Sequence, residues 1–119
     1  MSAARSRGSK RERQVRDWLA ERDFVVIHTR PGTNFCDVVA LQKNRRPWFV
    51  EVKSTAGGPW EHFRWEDRAD LIAISERAGA EAWLAWWPPG GKLRWFPSTE
   101  WPTKPALRVV EASGTMGGS

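Results

Sequence analysis

Six residues, Trp48-Phe49-Val50-Glu51-Val52-Lys53, constrain this chain more than any others. Aromatic and β-branched side chains fit a strand. Side chains alternate along a strand, so Val50 and Val52 share one face while Glu51 and Lys53 share the other. An exposed cross-face ion pair would contribute only about 0–1 kcal/mol. The flanking valines point instead to a buried strand, where a charged pair is costly unless it has a function.

The rest of the chain builds around that strand. Residues 1–8 read as a flexible basic arm, and residues 9 to about 22 as a helix. Ser9-Lys10-Arg11-Glu12 fits a capping box, with Ser9 as N-cap and Glu12 three positions on. Val15 and Leu19 form its apolar stripe, and Glu12 falls on the same stripe one turn earlier. Residues 24–29 and 37–41 read as strands on either side of the loop Pro31-Gly32-Thr33-Asn34. A second helix is expected from about residue 65 to 77, with Ala69, Ile72 and Ala73 inward and Gly79 as its stop. Residues 82–87 and 93–96 are expected as strands across the turn Pro88-Pro89-Gly90-Gly91, and residues 107–110 as a short one. Helix, three strands, helix, two strands indicates an α/β fold, a mixed sheet with helices against it. At 119 residues the chain suits one domain. Its working part is expected at residues 9–98, followed by an extension at 99–119 that ends in a disordered tail.

Charge is unevenly placed. Residues 1–16 hold six bases and one acid, whereas the remainder holds 13 of each, so the whole net charge of +5 lies at the start. A basic arm on a neutral body suits a polyanion, most simply nucleic acid. The single cysteine, Cys36, excludes an internal disulfide and a Cys-based zinc cluster. His28 and His62 each read as structural. No apolar run approaches the ~20 residues of a spanning helix, and no signal-peptide pattern opens the chain. The expectation is a cytoplasmic protein with no membrane contact. The nine Trp residues, with no Tyr, raise the question of aromatic surface. Trp83, Trp86 and Trp87 read as core and dimer interface, because alternation splits them between faces.

Chemistry is concentrated in three acids and a lysine. A hairpin would bring Asp37 near Glu51, and two close carboxylates repel unless a cation neutralises them. Oxygen ligands favour Mg²⁺ or Mn²⁺ over zinc. Lys53 beside such a cation is placed to polarise a water or stabilise charge on a phosphate oxygen. Glu12 is placed to complete the shell, directly or through water.

The motif Cys36-Asp37…Glu51-Val52-Lys53 resembles that of the PD-(D/E)xK nuclease superfamily. The wider context resembles archaeal-type Holliday junction resolvases over roughly residues 7–98. The segments that carry it are Gly8-Ser9-Lys10-Arg11-Glu12-Arg13, Asp23-Phe24-Val25-Val26, Phe49-Val50-Glu51-Val52-Lys53-Ser54, Phe63-Arg64-Trp65-Glu66 and Leu93-Arg94-Trp95-Phe96-Pro97. The resemblance implies a restriction-endonuclease-like sheet and a homodimer that binds a four-way DNA junction. Each subunit would nick one strand symmetrically with Mg²⁺, which Mn²⁺ would replace. It also implies Asp37, Glu51 and the Val52 carbonyl as metal ligands, Lys53 as the catalytic lysine and Glu12 as the helix acid. DNA contacts are expected from Arg7, Lys10, Arg11, Arg13, Arg30 and Thr33.

The chain departs from the family pattern at three places. Cys36 stands where the family has Pro, Asp67 where it often has Gln, and Arg30 replaces a base that the family places nearer His28. The alternatives are another nuclease of the superfamily, acting on flaps, damage or restriction sites, and a non-catalytic DNA-binding module of the same fold.

Overall fold

The computed structural model describes residues 3–29 and 35–102, with side chains from residue 9 onward. Helix α1 (Ala3–Ala20) leads into strands β1 (Val25–His28), β2 (Val38–Leu41) and β3 (Trp48–Lys53). Helix α2 (Trp65–Ala78) then crosses to β4 (Glu81–Trp86), and β5 (Arg94–Pro97) is followed by a short 3-10 turn, Ser98–Glu100. The five strands form one mixed sheet in chain order. Only β3 and β4 are parallel, and α2 is the crossover between them; the other neighbours run antiparallel. This is the expected α/β fold.

Two details of the helices differ from expectation. Helix α1 starts at Ala3, so Ser9 is interior and Ser9–Glu12 is not an N-cap. Ala3 and Ala4 are strong helix formers, and no proline interrupts the run before Ser9. On α2 the buried face is Arg68, Leu71 and Ser75, while Ala69 and Ala73 are exposed and Ile72 half-buried. The Arg68 guanidinium donates to the Phe63 carbonyl and lies over the Trp60 ring, which turns the helix to bury that long side chain. Helix α2 stops where Gly79 takes φ 70°, a left-handed conformation glycine adopts without strain.

The sheet separates two cores. Val15 and Leu19 of α1 pack on Val38, Ala40, Val50, Val52 and Ala85. Phe49, Phe63, Leu71, Ala82, Leu84 and Trp101 fill the other side. Alternation along β3 is therefore realised: Trp48, Val50 and Val52 point towards α1, and Phe49 shares its face with Glu51 and Lys53. Residues 107–110, expected as a strand, lie outside the described residues. Among those described, no helix is long and apolar enough to cross a membrane.

Candidate active site

Asp37 lies one residue ahead of β2. Val38 pairs with Val50, so the ladder brings Asp37 level with Glu51. The Asp37 N–H donates to the Val50 carbonyl at 2.9 Å, and Asp37 Oδ2 accepts from the Val52 N–H at 2.8 Å. One carboxylate oxygen is thus pinned to the β3 backbone. Lys53 Nζ lies 3.4 Å from Glu51 Oε2, and each of these side chains is only 21% exposed. The expected face-sharing pair is present, and it is half-buried.

Helix α1 delivers the third acid. Glu12, one turn ahead of the buried Val15, places Oε1 3.4 Å from His28 Nε2. His28 pairs with Val38, next to Asp37. His28, expected to be structural, thus lies beside Asp37 through the β1–β2 register.

These groups also act on one another electrostatically. Burial pushes Asp37 up to about 6, and the charge of Glu12 adds to it; the Val52 N–H, Lys53 and His28 pull the other way. Glu51 is pushed up to about 7, first by burial and then by Asp37, with Asp67 adding and Lys53 opposing. Asp67, read only as a departure from the family pattern, is therefore an electrostatic neighbour of the site. Burial pushes the neighbouring Cys36 thiol up to about 12, so it is not a nucleophile at neutral pH.

The residues present fit a divalent cation. Two buried carboxylates oppose each other's ionisation, and a cation between them removes that opposition. Among the described residues no three Asp, Glu, His or Cys side chains close into a cage. Two acids with a backbone carbonyl leave room for water and substrate, as hard octahedral cations require.

The expected DNA contacts divide. Lys10 and Arg13 are exposed on α1. Arg11 also makes contacts within the fold: it donates to Gln14 at 2.9 Å and to the Pro88 carbonyl at 2.8 Å, and it lies 4.8 Å from the Trp87 ring centre. It ties α1 to the turn between β4 and β5. The Arg7 side chain, Arg30 and Thr33 lie outside the described residues.

Comparison with known proteins identifies the family and agrees with the fold. The family model described as archaeal Holliday junction resolvase (Hjc) matches residues 3–113. Among solved structures, Hjc of Archaeoglobus fulgidus, described as a Holliday junction resolvase from an archaeal hyperthermophile, aligns with a TM-score of 0.67. The two are 26% identical, and the alignment covers 82% of this chain and 84% of that one. No curated protein matches. With a family match across nearly its whole length and the fold to go with it, the chain belongs to the archaeal Holliday junction resolvase family, whose members are metal-dependent junction endonucleases.

Proposed function

We propose that this chain acts as a homodimer that resolves four-way DNA junctions by paired symmetric nicks, with Mg²⁺ as its cation and Mn²⁺ as a substitute. The observation that carries the reading is the half-buried cluster of Glu12, Asp37, Glu51 and Lys53 at one end of the β2–β3 ladder. Asp37, Glu51 and the Val52 carbonyl would hold the cation, with Glu12 placed to complete the set directly or through water. When bound, a divalent cation supplies charge stabilisation to the phosphate and acidifies a water for in-line attack.

The chain's own residues do the rest. The Val52 N–H fixes Asp37, so the second carboxylate oxygen keeps a constant aim. Lys53 donates a hydrogen bond to a phosphate oxygen or to the attacking water, and its charge opposes the negative charge that develops. Burial of the acids lowers the local dielectric and strengthens both interactions.

Lys10 and Arg13 on the exposed side of α1 hold backbone phosphates, so binding weakens steeply with salt. Junction selectivity then comes from shape and from two sites related by a two-fold axis. Labelled junction, flap, duplex and single-strand DNAs incubated with Mg²⁺ test the reading. Paired nicks in the junction alone are expected, whereas preferential cutting of flaps or duplex would overturn it.

A further inference from the structure

Strand β3 ends between two grooves of opposite character. One, of about 560 Å³, is lined by Glu51, Asp67 and Asp70, with Arg77 as its base. The other, of about 430 Å³, begins at Lys53 and is lined by Ser54, Thr55 and His62, with Glu61 as its acid. Both touch the catalytic strand. A DNA backbone is repelled by the first and offered donors by the second.

The second groove is also built rather than incidental. Thr55 Oγ1 donates to the Gly58 carbonyl at 2.5 Å, and the Trp86 indole N–H donates to the Thr55 carbonyl at 2.9 Å. The Trp87 N–H donates to the Lys53 carbonyl at 2.8 Å, holding the end of β3, where the loop begins, against the neighbouring strand. Glu61 is occupied within the loop: Oε1 accepts from the Gly57 N–H at 2.8 Å, and Oε2 lies 3.7 Å from His62 Nε2. A neutral or charged imidazole and a serine hydroxyl each offer a donor. Fixing the loop beforehand lowers the ordering cost of a bound phosphate.

We propose that this groove seats the DNA phosphate next to the scissile one, on the Lys53 side, with His62 and Ser54 as its donors. The proposal rests on the reading that Lys53 acts at the scissile phosphate, and it fixes the direction in which the cut strand leaves the site. The strand passes over the loop of residues 54–62 and away from Asp67 and Asp70.

The test uses four-way junctions that carry one uncharged methylphosphonate at each position flanking the cut in turn. Binding of the full-length protein is measured by fluorescence anisotropy with Ca²⁺ in place of Mg²⁺. His62 is 71% exposed, so His62→Ala leaves the core intact. The expected result is about a fivefold loss of junction affinity and a salt slope smaller by about one. One flanking methylphosphonate should cost the wild type a similar factor and cost His62→Ala nothing more; Ser54→Ala should show the same selectivity. Wild-type affinity in His62→Ala, or a loss that adds in full to every methylphosphonate, would overturn the proposal. Cleavage of the unmodified junction by the wild type, read in parallel with Mg²⁺, reports separately on the proposed function.

Discussion

The two faces of β3 are built from alternate residues of one strand and answer opposite demands. Towards α1, Trp48, Val50 and Val52 meet Val15 and Leu19 in an apolar cluster. Towards α2 the strand starts in the same way, with Phe49 in a core of Phe63 and Leu71, and then turns to Glu51 and Lys53. The first face makes the sheet stable. The second gives up apolar contact at the strand's end and gathers acids that oppose one another's ionisation, with Lys53 offsetting them. Stability and chemistry are thus separated by the two-residue period of a strand, and substitutions on the two faces should fail in different ways.

The largest effect belongs to the charged face. Lys53→Ala should slow single-turnover junction cleavage by roughly a hundred- to a thousandfold, with the folded fraction and junction affinity close to wild type. On the other face, Leu19→Ala should do the reverse. Leu19 is fully buried, and its truncation should cost about 3 kcal/mol in urea unfolding. Cleavage per folded molecule should persist. If Lys53→Ala unfolded the protein, or Leu19→Ala removed activity from folded protein, the separation of roles would not hold.

The third prediction concerns pH. Asp37 and Glu51 have folded-state values of about 6 and about 7, above their ordinary ones. The folded state therefore holds more protons than the unfolded chain between about pH 4 and pH 7. Metal-free protein should lose stability as pH rises through that window and level off above it. Glu51→Gln should flatten the curve and raise stability at pH 7.5. Mg²⁺ should raise the melting temperature of the wild type at that pH, because it binds the folded state alone, and should do so less for Glu51→Gln. A metal-free stability curve that rises from pH 4 to 7 would contradict the assigned burial.

The smallest effect is expected at Arg11. Its hydrogen bond to Pro88 and its position over Trp87 predict that Arg11→Ala loses about 1 kcal/mol of stability. The salt slope of junction binding should not change. A slope smaller by about one would return Arg11 to the DNA-contacting set.

Much of this architecture was legible in the sequence, because strands announce themselves through β-branched and aromatic runs. The bounds of β3 were read correctly, and β1, β2, β4, β5 and α2 shifted by two residues or fewer. Family resemblance and strand alternation together named Asp37, Glu51 and Lys53. The misreadings have physical causes. A capping-box pattern at Ser9–Glu12 is compatible with a helix interior: Ala3, Ala4, Arg5 and Arg7 favour helix ahead of it, and Gly8 does not break the run. On α2, small alanines carry little apolar signal, so the buried Arg68 decides the helix's rotation, and sequence patterning treats arginine as exposed. The contacts of His28 with Glu12 and of Arg11 with Pro88 overturn neither residue's reading; they cross the fold, so local spacing does not encode them.

The assignment of the buried acids as the catalytic centre is tested most directly by Asp37→Asn. This change keeps the shape and the acceptor oxygen for the Val52 N–H while removing the charge. With a labelled four-way junction, binding is measured in Ca²⁺ and single-turnover cleavage in Mg²⁺. The predicted result is junction affinity near wild type with cleavage reduced by about a thousandfold or more. Cleavage at the wild-type rate would show that the phosphodiester is cut somewhere else on this molecule.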